Sequence, residues 1–484
     1  GRSMTRTQAV LLTLVTYKVV LVLIGLWASR RTRDGGDFFL GGRRLGATVA
    51  AISASASSSS AWTLLSVSGM ACLWGLPALW LFPATLSGFL INWLFVAPRL
   101  QRQSRDRGAI TLTGFLAASV PAAGRNAVLR LAAGITLFCF VFYIASQFQA
   151  AGHAFASSLD LDMLTSILIG AGIIAVYTLL GGFWAASVTD TLQGLVMAAV
   201  AVILPLTAFI AVGGWNGLVS GLAAVGAAGA PVPTGGIAGV GFVLGTLGIG
   251  LGYPGQPHVV NRFMALRDER ALAGARVIAI AWAVVIYAGM LLLGLCGRVL
   301  FGELIEPERV LFEVAERLMS PVAAGVVVAA VLSAVMSTAD SQLLVAGSSV
   351  THDLPGAAGH PATLTRSRLT VLGVSVVAVA LALWLPDTIF NRVLFAWHGL
   401  GSAFGPVLLL CLCGRPPGAR AMVLSMATGF GLTLFFNWFV DSPGDVVERL
   451  VPLLAAFAVA WFGRAPVDGS GAGSDSPERS EDRI

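Results

Sequence analysis

The sequence predicts an all-α integral membrane protein of about thirteen transmembrane helices. Of its 484 residues 56% are hydrophobic and 11% charged, and the mean hydropathy is +0.84. A soluble domain carries roughly 25% charged residues, so water could not solvate a chain this apolar. Apolar runs recur at or beyond the roughly 20 residues that a crossing helix needs. Arginines collect in alternate loops, as the positive-inside rule expects. The formal charge of +6 is therefore read as loop asymmetry and not as a nucleic-acid footprint.

The first span is expected near 8–28 and ends in Arg30, Arg31 and Arg33, which puts that end inside and the amino terminus outside. Further spans are expected near 46–72, 76–98, 126–156, 162–182, 185–213, 237–258, 272–297, 320–350, 367–385, 389–413, 420–440 and 447–463. Alternating sides then gathers Arg43, Arg44, Arg99, Arg102, Arg105, Arg107, Arg125, Arg130, Arg262, Arg267, Arg270, Arg276, Arg366, Arg368, Arg415, Arg420 and Arg464 at inner ends. Glu303, Glu306, Glu308, Glu313 and Glu316 fall in one outer loop, and Asp441, Asp445 and Glu448 in another. A miscounted span would break this alternation. Thirteen crossings leave the carboxyl terminus in the cytoplasm.

Between the spans, 301–318 reads as an outer amphipathic helix and 222–236, rich in Gly, Ala and Pro, as a flexible outer loop. Residues 1–7 read as a tag remnant (Gly1-Arg2-Ser3 before Met4) and tail, and 8–45 as the first helix with its inner loop. Residues 466–484 are too polar to bury a core and read as a disordered tail. The long first apolar run, followed by arginines, reads as a retained span and not as a cleaved signal. Cys72, Cys139, Cys296, Cys411 and Cys413 show no metal or disulfide spacing. His153, His258, His352, His360 and His398 form no ligand cluster by spacing. Lys18, mid-way along the first span, reads as snorkelling or pairing with a neighbouring carbonyl.

Two spans look broken. Ile52 to Trp62 carries six serines, and Gly248 to Pro257 combines glycines with Pro254 and Pro257. Glycine weakens a helix and proline removes an amide donor. Backbone groups freed in lipid need protein, water or an ion to satisfy them. The two spans lie five apart, and an odd offset inverts the second unit, so spans 2–6 (46–213) and 7–11 (237–413) read as inverted repeats. Outer loop 214–236 joins them, and 414–465 holds two further helices. Matched breaks in such repeats point to a binding site, although small residues also simply let helices pack.

The ninth span adds Ala334, Ser337 and Thr338 at i, i+3 and i+4, on one helix face. Two hydroxyls and a carbonyl there, facing loosened carbonyls near Ala56 and Ser59, would suit a hard cation such as sodium. Asp190 and Asp340 are intramembrane carboxylates and so functional candidates.

The sequence resembles the sodium/solute symporter family, most closely its bacterial proline-carrying branch, from about residue 10 to 460. The likeness rests on Asp37-Phe38-Phe39-Leu40-Gly41-Gly42-Arg43, the serine run into Trp62, Gly181-Gly182-Phe183 leading to Asp190, Gly252 to His258, Ala334 to Leu344, and Ala396-Trp397-His398-Gly399. The resemblance implies a LeuT-type core of two inverted five-helix repeats in the bacterial inner membrane, with alternating access. It implies sodium-driven import of proline or a related amino acid. The main sodium site would fall on Ala56, Ser59, Ala334, Ser337 and Thr338, and a second on Asp190, Ser337, Asp340 and Ser341. The solute would meet Trp62, Tyr143, Tyr253, Gln256 and Pro257. Two positions depart from the branch: Ser58 stands where it has aspartate, and Ile249 where it has tryptophan. Asp340 could restore the missing charge. No nucleotide-binding, metal-cluster or nucleophile motif argues for an enzyme. The alternatives are coupling to protons, another small solute such as a carboxylate, or a non-transporting sensor.

Overall fold

A computed structural model describes residues 6–29, 45–159, 161–180, 183–225, 232–233, 235–302, 304–354, 364–385 and 387–463. The motif 37–43, Gly181-Gly182 and the tail 466–484 lie outside these residues. The described chain is built from helical rods: α1 (Arg6–Ser29), α2a (Ala47–Ser58) and α2b (Trp62–Trp74), α3 (Leu76–Asp106), α4 (Ala122–Leu159), α5 (Met163–Leu180) and α6 (Phe183–Ala211). There follow α7a (Gly236–Gly248), a 3-10 stretch (Ile249–Gly255), α7b (Pro257–Ala265), α8 (Glu269–Phe301) and α9 (Pro321–Ser348). The last rods are α10 (Leu364–Trp384), α11 (Ile389–Leu412), α12 (Ala419–Phe439) and α13 (Val446–Phe462).

Nine helices among the described residues are long and apolar enough to cross a membrane. Their outward side chains, among them Leu12, Leu23, Ile203 and Val277, stay exposed, as a lipid-facing belt requires. Polar side chains turn inward instead: Ser53, Ser57, Ser59, Asp190, Ser337 and Thr338 are fully buried.

Both expected breaks are present, five rods apart. α2a stops at Ser59, whose φ/ψ of −97° and 66° leave the helix, and Ser58 Oγ donates back to Ser55 O at 2.9 Å. Serine hydroxyls compete with the helix for backbone partners, which is why the serine run frays here. α7a passes into the 3-10 stretch, Gln256 is extended, and Pro257 opens α7b where its missing N–H costs nothing. Glycine lets this break rest on α11. A Cβ on Gly255 would lie 2.6 Å from Leu400 O, and one on Gly252 2.5 Å from the Trp397 ring.

The expected loop 222–236 begins later than read, because Gly214–Val225 is a helix. Its Leu218, Val219 and Leu222 pattern has helical spacing that the Gly/Ala content obscured. The helix expected in the outer loop is Val310–Leu318, entered through a 3-10 turn at Pro307–Arg309. Among the described residues the Lys18 ammonium meets Met336 Sδ of α9 and no carbonyl.

Candidate ion and solute site

α2a, α6, α7b and α9 bring a buried oxygen cluster together. Ser337 Oγ points to Ala56 O (3.4 Å) and Ala334 O (3.3 Å), and Thr338 Oγ1 donates to Ser57 O (3.0 Å). Four of the five residues expected at the main sodium site thus meet where the frayed end of α2a crosses α9. A hydroxyl carries lone pairs as well as a proton. With a cation present, these hydroxyls can turn from donating to carbonyls to lending oxygen beside them. Ser59 is buried at the break, and its hydroxyl accepts from Trp282 Nε1 of α8 at 2.9 Å.

One turn deeper, the residues expected at a second sodium site also converge, but around a side chain the sequence reading left in a loop. Arg262 of α7b is buried, and its Nη2 donates to Asp190 Oδ2 (2.8 Å) and Ser341 Oγ (2.7 Å). Its Nε donates to Ser53 Oγ (2.9 Å), which donates on to Asp190 Oδ2 (2.8 Å). Ser57 Oγ and Ser341 Oγ each donate to Ser337 O at 2.8 Å. Asp340 bonds only weakly, accepting from Ser341 Oγ at 3.4 Å; its Oδ2 and the Asp190 Oδ1 have no hydrogen-bond partner.

Beyond the break in α2 stands a closed circuit of aromatic rings. Trp62 meets Tyr287 edge-on at 6.5 Å, Tyr287 and Tyr253 share a hydroxyl hydrogen bond at 3.0 Å, and Tyr253 packs on Trp397 at 4.7 Å. Trp397 reaches Tyr143 at 6.3 Å, and Tyr143 Oη donates to Ser60 Oγ (3.2 Å), which accepts from Trp62 N (3.2 Å). The freed amide of Ala61 donates to Gln147 Oε1 at 3.2 Å. Trp62, Tyr143 and Tyr253 are therefore brought together as expected. Gln256 is engaged elsewhere: its Nε2 donates to Gly252 O and Trp397 O (3.0 and 2.9 Å), while its Oε1 is unpartnered. Pro257 is buried at the first turn of α7b.

Tyr287 and Trp397 were not selected from the sequence as solute contacts. The Ala396 to Gly399 motif was the available signal for Trp397. Its indole donates to Ile249 O at 3.3 Å, so an aromatic from α11 stands against the position where the proline-carrying branch has its own tryptophan. The large apolar groove of about 940 Å³ lined by Trp74, Phe82, Trp215, Leu291 and Arg298 lies apart from this circuit.

At the acidic end, Glu308 precedes the outer helix and is buried. Ser66 Oγ of α2b donates to it at 2.6 Å, and the first amides of α11, Ile389 N and Phe390 N, donate at 3.0 and 2.9 Å. Phe390 in turn stacks on Trp62 at 5.8 Å. Burial pushes the Glu308 carboxyl above the ordinary glutamate value, against the pull of those three donors.

Residues 38–423 match the sodium:solute symporter family. The chain belongs to that family. It is accordingly a secondary transporter and not an enzyme, with sodium as its coupling ion. It is 34% identical to the high-affinity proline transporter PutP of Bacillus subtilis, over 92% of this chain and 96% of that one. It is equally identical to the osmoregulated proline transporter OpuE of the same organism, covering 95% and 96%. A Staphylococcus aureus sodium/proline symporter shares 34% over 86% and 83% of the two chains. The structure resembles that of a Na+-coupled sialic acid symporter, with a TM-score of 0.76 at 16% identity and coverage of 94% and 97%. It also resembles the nucleobase-cation-symport-1 transporter Mhp1, with a TM-score of 0.57 at 14% identity and coverage of 89% and 96%. The fold is the LeuT type that such transporters share.

Proposed function

We propose that this protein imports proline or a closely related amino acid together with sodium, by alternating access. The observation that carries the reading is the meeting of Ala56, Ser57, Ala334, Ser337 and Thr338 oxygens a few residues before Trp62. The cation site comprises Ala56, Ser59, Ala334, Ser337 and Thr338, with charge supplied by Asp340, one turn from Ser337 on α9. The solute lies against Trp62, Tyr143, Tyr253 and the unpartnered Gln256 Oε1, with Pro257 behind. Relatives named as proline transporters support the solute class.

Coupling follows from the shared break. A cation that fixes the oxygens of Ala56 and Ser59 also fixes the break that leads through Ala61 N to Trp62 at the start of α2b. Each ligand then raises the affinity for the other, reciprocally. The membrane potential adds about 2.3 kcal/mol per charge for each 100 mV.

The topology has thirteen crossings, the amino terminus outside and the carboxyl terminus in the cytoplasm. Residues 46–213 and 237–413 form the two repeats, followed by two helices in 414–465. The arginines at one end and the acidic loops at the other support this orientation.

Proteoliposomes under imposed sodium or proton gradients test the coupling with labelled proline. Sodium-driven uptake is expected; uptake driven by protons alone would overturn it. In Thr338→Ala the half-saturating sodium concentration should rise roughly 5- to 30-fold, the value of about 1–2 kcal/mol for one lost oxygen.

A further inference from the structure

We infer that Arg262 is a resident cation: its guanidinium fills the oxygen cradle around Asp190, so that one sodium ion, not two, accompanies each solute. The inference rests on the sodium-coupled reading above and fixes its stoichiometry.

Asp190 Oδ2, the Ser53, Ser57 and Ser341 hydroxyls and Ser337 O are linked to one another at 2.8–3.5 Å. Hard oxygens from three helices around a buried carboxylate are the donor set of a hard cation. The cradle is already taken. Nη2 bridges Asp190 Oδ2 and Ser341 Oγ, and Nε takes Ser53 Oγ. A planar fork reaches all three partners at once, which a lysine's single ammonium does less well. Nη1 donates to His258 O at 2.6 Å, one turn back on α7b. The guanidinium is thereby fastened to α7b and moves only with it. A sodium ion entering the cradle would meet a like charge at ligand distance.

Asp190 and Asp340 are both buried, and Arg262 pairs with Asp190.

The direct test is the ratio of radiolabelled sodium to labelled proline entering the same proteoliposomes. A ratio of one is expected. A ratio of two overturns the inference alone, whereas solute flux without sodium overturns the sodium reading and this inference with it. Equilibrium binding of radiolabelled sodium to purified protein adds a readout that a merely structural arginine would not move. Arg262→Gln should bind two sodium ions and Arg262→Lys one. A single ion bound by Arg262→Gln would overturn the inference. Should that variant fail to fold, the wild-type ratio decides.

Discussion

At the Arg-rich end α2a, α6, α7b and α9 are tied by an ion pair, Arg262 on Asp190, with the Ser53 and Ser341 hydroxyls bonded to the guanidinium. At the acidic end α2b, the outer helix and α11 are tied by one carboxylate, Glu308, on a hydroxyl and two main-chain amides, with Phe390 laid over Trp62. The inner tie joins opposite charges out of contact with water. The outer tie caps a helix end with a carboxylate, a position that the helix dipole favours. The first therefore fails badly when one partner is removed and mildly when both are. The second is held by neutral donors, and it is open to titration.

The largest effect should come from breaking the inner tie on one side. Arg262→Ala strands Asp190 and should cost about 3–5 kcal/mol of stability. Thermal unfolding in sodium-free detergent measures it, and the double variant with Asp190→Asn should regain most of the loss. A double variant no more stable than the single would mean that packing, not charge, closes this end.

A smaller effect is expected at the outer tie. Glu308→Ala leaves the Ile389 and Phe390 amides without their acceptor, a penalty of about 1–3 kcal/mol, and should favour the outward-open form. Thr63, next to Trp62, is buried with its hydroxyl on Tyr287 Oη at 3.3 Å, and labelling of a Thr63→Cys variant by an impermeant thiol reagent should quicken several-fold. Unchanged labelling would show that the Phe390–Trp62 stack closes this end without Glu308.

The mildest test is pH. Glu308 is held above its ordinary value when clasped, so the clasped form binds a proton more readily than an opened, solvated one. Protonation favours the clasp below the ordinary value, and that advantage is lost as pH rises through the raised one. Lowering the pH across this window should slow Thr63→Cys labelling, and Glu308→Gln should abolish the dependence. The neighbouring Asp387 and Arg392 act on the same carboxyl in opposite senses, so Asp387→Asn should narrow the window.

Most of the fold was legible because lipid allows few backbone solutions, and helices long enough to cross announce themselves. The breaks were legible for the same reason: serines, glycines and prolines inside a span demand explanation. The face of α9 that meets the frayed end of α2a followed from the i, i+3, i+4 spacing of Ala334, Ser337 and Thr338. What was not legible is pairing across helices. Arg262 was counted with the cytoplasmic arginines because one-dimensional spacing cannot tell an arginine past a helix end from one buried in its last turn. Glu308 was one of five acidic residues in an outer loop, and nothing local marked it as the one that caps α11. Trp397 sat in a recognisable motif, but only packing puts it against Ile249 and Tyr253.

The seat of the α7 break on α11 has its own consequence. Gly252 and Gly255 meet Trp397 and the Leu400–Gly401 main chain with no room for a methyl. That seam cannot be reshaped by trading side chains, since hardly any side chain stands there to trade. Selection for a bulkier cargo must act on the opposite wall, at Trp62, Tyr143 and Tyr287, and solute preference should drift there while the seam stays fixed.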